Sequence, residues 1–389
     1  MTVAPATRPA GPREQASPEP KLGVVLRLAA LLALLYGFLV AIGMMEGAFR
    51  TLGASSTGGL FEGIDNPIAA LLVGILATVL VQSSSVTTST IVALIGSGQI
   101  SMAMAVPMVM GANIGTTVTN TLVSMGSVRR TLEFRRAFAC ATVHDVFNVL
   151  SVVVLLPLEL ATGFLHDAAL WIADRVGGGE TVDATFKSPV KQAVKAGAGA
   201  VEDLLGSTGL SGSPLAWVTL GLAVALILFC LARIMRLMRA MLVSRIEAQL
   251  NRALGRSGLL GILVGAVLTF IVQSSSITTS MLVPLAGAGI LSLENAYPIV
   301  LGCNIGTTTT ALLASLATGS PMALAIAMVH LLFNALGTLL FYGVPGVRRI
   351  PPLLATRIAA VAARNKAWLA VYAVGLFVLV PLAGILLFK

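Results

Sequence analysis

Charge is what this sequence has least of. Asp, Glu, Lys and Arg together make up 11% of its 389 residues, while 57% are hydrophobic. A soluble chain of this length would carry far more charge to cover its surface. Cysteine is scarce as well: Cys140, Cys230 and Cys303 are scattered through apolar segments, with no pairing or metal-ligand spacing. There is no N-x-Ser/Thr sequon, in keeping with a bacterial inner membrane. Three histidines and no G-x-S-x-G elbow argue against a serine hydrolase, so the chain is expected not to be an enzyme. The net charge of +9 would suit nucleic acid, but the basic residues fall in short clusters beside apolar runs. That is how cytoplasmic loops of membrane proteins are marked, and no nucleic-acid partner is expected. Several apolar runs approach or exceed the roughly 20 residues that cross a bilayer as helix.

What the chain does have is one polar stretch, twice. Residues 81 to 124 read VQSSSVTTSTIVALIGSGQISMAMAVPMVMGANIGTTVTNTLVS, and residues 272 to 315 read VQSSSITTSMLVPLAGAGILSLENAYPIVLGCNIGTTTTALLAS. Gln82 matches Gln273 and Asn113 matches Asn304, a constant offset of 191, and about 25 of the 44 aligned positions are identical. Shared apolar composition does not produce that.

In chain order, residues 1–21 are a Pro- and Ala-rich stretch expected to be a disordered cytoplasmic tail. Residues 22–66 hold a first transmembrane helix, Leu22 to Met45, then an external loop with Glu46, Glu62 and Asp65. Repeat 1 occupies 67–158. Its apolar run Ile68 to Val81 is only fourteen residues long before Gln82, too short to span comfortably and typical of a re-entrant segment. Gly96, Gly98 and Pro107 are expected to break the next stretch. Arg129, Arg130, Arg135 and Arg136 mark an inside loop. Residues 159–256 comprise an external segment, with a helix around 160–175 and loop after it, then a returning helix and a basic cytoplasmic segment. Repeat 2 occupies 257–343, and 344–389 hold a basic cytoplasmic loop and the last transmembrane helix. The charges place the start of repeat 1 outside and that of repeat 2 inside. The expected fold is an all-α integral membrane protein: two inverted-topology repeats with re-entrant helical hairpins, plus peripheral transmembrane helices. It is a multi-pass inner-membrane chain with a cytoplasmic N-terminus and an external C-terminus.

Each copy carries two polar islands, Q-S-S-S-x-T-T-S and N-I-G-T-T-x-T. Hydroxyls and amides at membrane depth are costly unless bonded, so they should line an enclosed cavity. An unwound Ser-rich turn opening a helix offers N–H groups and hydroxyls to an anion. Its carbonyls, with Ser, Thr, Gln and Asn oxygens, suit a hard cation such as Na⁺. Gly115 and Gly306 are expected to let the backbone approach a ligand. The islands hold no ionisable residue, which favours Na⁺ over proton coupling, though His144 and Asp145 keep proton coupling as an alternative. His144 and Asn148 match His330 and Asn334 at an offset of 186; core histidines bonded in place are the plainer reading, a proton relay the other. Close helix packing by small residues is the plainer reading of the islands themselves.

Q-S-S-S, G-A-N-I-G-T and F-R-R-A-F-A-C-A-T-V-H-D-V-F-N, with the second set Q-S-S-S, G-C-N-I-G-T-T-T-T and V-H-L-L-F-N, resemble the type II sodium/phosphate cotransporters. The likeness covers roughly residues 67 to 160 and 257 to 385. It implies sodium-coupled import of inorganic phosphate by alternating access, with a transporter of another oxyanion or a proton-coupled phosphate carrier as the neighbouring alternatives. It also implies Na⁺ as coupling ion, no cofactor, a bilayer setting and a homodimer as candidate assembly. By similarity, phosphate would lie among Gln82, Ser83, Ser84, Ser85, Asn113, Thr116, Ser274, Ser275, Ser276 and Asn304. One sodium site would use Gln273, Ser274, Thr307 and Thr310, and a second Gln82 and Asn113. The long glycosylated external loop of mammalian members has no counterpart here. The Asp that some of them carry before F-R-R-A-F is replaced by the stretch Arg129 to Glu133, so the ion ratio does not carry over.

Overall fold

The computed structural model describes residues 21–55, 66–177, 189–253 and 257–388, and these form helices with no strand among them. Helix α1 is Lys21–Ser55. Repeat 1 holds α2 (Pro67–Val81), α3 (Ser84–Gly96), α4 (Met102–Gly115), α5 (Val118–Ser124) and α6 (Thr131–Thr162). Helices α7 (Phe164–Gly177), α8 (Pro189–Gly206) and α9 (Gly212–Ala253) lead to repeat 2, with α10 (Gly258–Val272), α11 (Ser275–Gly287), α12 (Leu293–Thr318) and α13 (Pro321–Thr338). Helix α14 (Ile350–Arg364) and a last helix, α15 (Ala367–Phe388), follow. The middle of α15, Val371–Leu379, is wound as π-helix. Among the described residues seven helices are long and apolar enough to cross a membrane, while α2, α3 and α10 are apolar but shorter.

The helices start and stop where the sequence provides for it. Pro67 stands in the first turn of α2, where its missing N–H costs nothing, and Asn66 Oδ1 accepts from Ile68 N at 2.8 Å. Gly163 closes α6 in the left-handed region, and the Glu159 carboxylate just before it accepts from Leu165 N at 2.7 Å, capping α7.

Several expectations are corrected. Glu46 and Arg50 lie within α1, not in a loop, joined at 2.6 Å, and Arg50 also donates to the Gly96 carbonyl at the end of α3. The segment after α7 is not all loop, because α8 forms there. It carries a stripe with the buried Val194 and Ala198 against α1, while Lys195 and Asp203 are exposed, an amphipathic pattern that the polar composition masked. Pro107 sits inside α4 without ending it, as Pro298 does in α12. The expected disordered tail, Glu62, Asp65, Arg256 and Lys389 lie outside the described residues.

Packing repeats with the sequence. Helix α2 lies on α4 and α10 on α12, and helix α7 packs on α13 while α14 packs on α6. The starts of α7 and α14 differ by 186 (350 − 164), the offset of the two histidines. Outside the repeats, α1 packs along α9. One large apolar cluster joins α1, repeat 1 and α13, and a second surrounds α10 to α12 and the first half of α6.

Candidate functional site

Gln82 and Gln273 are the only non-glycine residues with positive φ among those described, at 56° and 54°. Such a backbone costs on the order of 1 kcal/mol or more for a residue with a Cβ, and it occurs at the same place in both copies. Each Gln ends a short helix, and the next residue, Ser83 or Ser274, is extended and caps the helix that follows through its hydroxyl, 3.4 Å from Val86 N or Ile277 N. The Gln side chain turns back on its own helix: Gln82 Nε2 donates to Val79 O at 2.5 Å and Gln273 Nε2 to Phe270 O at 2.6 Å. That occupies a carbonyl otherwise orphaned at the helix end. The amide oxygen then accepts from a threonine of the following island, Thr119 at 3.3 Å in copy 1 and Thr310 at 3.0 Å in copy 2. The Q-S-S-S stretch is therefore a built turn between two helices.

The two turns are connected. The Ser85 hydroxyl lies 3.4 Å from that of Thr310, so the copy 1 turn touches the threonine that holds Gln273. Asn120 Nδ2 donates to Thr279 Oγ1 at 2.9 Å, a second bond between the copies. No bond among the described residues takes the hydroxyls of Ser84, Ser275 or Ser276, and the first N–H groups of α3 and α11 have no intrahelical acceptor. These hydroxyls keep a donor and lone pairs to spare.

Next to the turns is a buried network of amides and imidazoles. His144 Nε2 bonds Asn304 Oδ1, and His330 Nε2 bonds Asn113 Oδ1 at 3.3 Å. Each histidine thus reaches the asparagine of the other copy. Asn148 joins the two halves, donating to the Asn113 carbonyl at 2.8 Å and accepting from Asn304 Nδ2 at 2.7 Å. Asn334 Nδ2 reaches His330 O at 2.9 Å and Asn113 Oδ1 at 3.3 Å. All six residues are buried. Beside His144, the Tyr372 hydroxyl of α15 donates to Asp145 Oδ2 at 2.5 Å, while Asp145 Oδ1 has no partner among the described residues.

The expected site residues thus fall into two groups. Gln273, Ser274, Thr310 and Ser85 come together, with Thr307 one turn before Thr310. Thr307 donates to Cys303 O at 2.8 Å and Thr116 to Ala112 O at 3.0 Å, which leaves their lone pairs free to accept. Asn113 and Asn304 belong to the histidine network, and no hydrogen bond joins Gln82, which is exposed, to Asn113, which is buried. Among the described residues no group of three His, Cys, Asp or Glu is gathered to hold a metal ion; a cation at these turns would be held by neutral oxygens.

One expectation is overturned. Gly115 and Gly306 do not open the backbone to a ligand. A Cβ on Gly115 would stand 2.6 Å from Ile75 O, and one on Gly306 2.5 Å from Ala266 O. With Gly111 and Gly302, whose added Cβ would meet Leu71 O at 2.0 Å and Ile262 O at 1.9 Å, they let α4 rest on α2 and α12 on α10 backbone to backbone. The spacing of four, G-x-x-x-G, was the available signal. The contacts of Ser85, Asn120 and Thr119 had no signal beyond lying in or beside the islands. For Asn148 and Asn334 the shared offset of 186 was one.

A type of protein is now defined: a helical membrane chain built on a doubled helix–turn–helix unit with an uncharged polar centre. The chain belongs to the Na⁺/Pi-cotransporter family, whose model matches residues 38–161 and 226–346. It is 33% identical to sodium-dependent phosphate transport protein 2A of Rattus norvegicus, over 95% of this chain and 70% of the relative. Protein 2A of Ovis aries is 34% identical over the same shares, and protein 2B of Homo sapiens 34% identical over 92% of this chain and 64% of its own length. Among solved structures there is no significant match.

Proposed function

We propose that this chain is a sodium-coupled importer of inorganic phosphate, a symporter and not an enzyme. The observation that carries the reading is the contact of Ser85, in the first Q-S-S-S turn, with Thr310, the threonine that bonds Gln273 of the second. Phosphate is held by the N–H groups opening α3 and α11 and by the hydroxyls of Ser83 to Ser85 and Ser274 to Ser276, with Gln82, Thr116, Asn113 and Asn304 around them. Sodium is held by oxygens of Gln273, Ser274, Thr307 and Thr310, and a second ion by Gln82 and Asn113. Neither ion is stable alone in a poorly solvated site. Together each lowers the cost of the other, and that mutual stabilisation is the coupling.

The two repeats are inverted in the membrane, and α2 with α3, and α10 with α11, are re-entrant hairpins. Their 15 and 13 residues give lengths of about 22 and 20 Å, short of the roughly 30 Å hydrocarbon core. The reciprocal pairing of His144 with Asn304 and His330 with Asn113 supports a two-fold relation between the copies. Alternating access follows by the repeats exchanging roles. The chain lies in the cell inner membrane with its N-terminus inside and its C-terminus outside. The test is uptake of labelled phosphate into proteoliposomes under an inward Na⁺ gradient. Uptake should be abolished when K⁺ replaces Na⁺ at constant pH and resist excess sulfate; equal uptake in K⁺ would overturn the reading.

A further inference from the structure

Away from the turns, a groove of about 600 Å³ runs between α14 and α15. Its walls are Ile358, Val361, Val371, Leu376 and Val380, almost wholly apolar, with Arg357 as the one charged lining residue. Along α15 it extends from Trp368 to Val380, twelve residues, or about 18 Å at α-helical rise and somewhat less with a π segment in it. That is the depth of about one leaflet of the hydrocarbon core. Gly375 lines the groove within the π-wound segment of α15, and the nearest atom to a Cβ added there is Val371 Cγ1 at 3.9 Å. Single π segments of this kind recur at functional places in helices. At its floor Tyr372 stands edge-on to Phe138 and bonds Asp145.

The polar end has one sign of charge. Helix α14 carries Arg357 and Arg364, seven residues apart and therefore on one face, followed by Lys366, and it contains no acid. All three are exposed, and none has a carboxylate within 4 Å among the described residues. Trp368, half exposed, follows Lys366 by two residues and lines the groove. A second copy of this chain would bring the same cations against themselves. A zwitterionic lipid would leave them uncompensated.

We infer that this groove is a binding site for one anionic phospholipid, an acyl chain lying along the π segment of α15 and the headgroup phosphate on Arg357. Basic pockets between membrane helices recognise anionic headgroups in this way, each Lys or Arg adding about fivefold to affinity. The test is lipid retention by the purified full-length protein in detergent, counted by native mass spectrometry, with dioleoylphosphatidylglycerol and dioleoylphosphatidylcholine as probes. The wild-type protein should retain phosphatidylglycerol about fivefold more tightly than phosphatidylcholine. Arg357→Gln, a surface change, should bring the two lipids level, and Gly375→Leu, which fills the groove without meeting backbone, should release both. Equal retention of the two lipids by the wild type would overturn the site. So would undiminished retention by Gly375→Leu, or a wild-type dimer that Gly375→Leu dissociates, since the occupant would then be a second copy.

Discussion

The two copies share a turn but not its surroundings. In copy 1 the second island is broken: α4 stops at Gly115 and α5 resumes at Val118. In copy 2 the same letters run through one unbroken helix, α12. Gln82 is exposed where Gln273 is half-buried, and Thr119 is half-buried where Thr310 is buried. Ser85 of copy 1 reaches Thr310, but no bond among the described residues joins Ser276 to Thr119. The turn geometry is dictated locally, by a Gln in the left-handed region and a Ser cap, and so it repeats. Enclosure is dictated by what lies across, and so it differs. One sequence motif thus makes a more enclosed turn in copy 2 and a more exposed one in copy 1.

The shared part is the easier to break. Gly111→Ala and Gly302→Ala each put a methyl about 2 Å from a carbonyl oxygen, and each should destabilise by about 3 kcal/mol or more, read as thermal unfolding in detergent. Similar losses are expected at both positions; tolerance at one would mean that the two helix pairs do not pack alike. Gly199→Ala, with open space around it in α8, should instead stabilise slightly, by up to about 1 kcal/mol.

The unlike part is sharpened by paired threonines. Thr310→Val removes a buried hydroxyl that bonds both Gln273 and lies by Ser85, and apparent Na⁺ affinity should fall about tenfold, the size of a bond to a charged group. Thr119→Val, at the open turn, should change it by no more than about twofold. Equal effects would erase the distinction between closed and open halves. Thr307→Val should weaken Na⁺ affinity less than Thr310→Val, because the Thr307 hydroxyl also bonds its own helix. An unchanged Na⁺ dependence would remove it from the site.

Smaller still are the histidine couplings. Double-mutant cycles on stability should give about 1 kcal/mol for His144 with Asn304 and for His330 with Asn113, and less for His144 with His330, which are linked only through Asn304, Asn148 and Asn113. Coupling confined to one of the two pairs would break the reciprocity between copies.

Much of this was legible beforehand. The offset of 191 matches the doubled order of helices, and the short run before Gln82 matches the short helix α2 that ends there. What was not legible depended on contacts between copies, which no local pattern encodes. Ser85 differs in no way from Ser84 along the chain, yet only Ser85 meets Thr310. Gly115 and Gly306 were read as ligand-facing because they sit in a polar motif, whereas their spacing of four served helix packing. Helix α8 was missed because low overall hydrophobicity hid an amphipathic stripe. The histidines were found by their own offset, but their partners were not, since each asparagine lies in the other half.

The central claim is that the two turns form one pocket for phosphate and sodium. It is tested most directly by a Ser85→Cys, Thr310→Cys pair in a background with Cys140, Cys230 and Cys303 replaced by Ala, where the two thiols would stand across the joint between copies. Oxidative cross-linking should proceed in K⁺ and be slowed several-fold by phosphate together with Na⁺, more than by either alone. Failure to cross-link, or a rate indifferent to phosphate and Na⁺, would contradict the account.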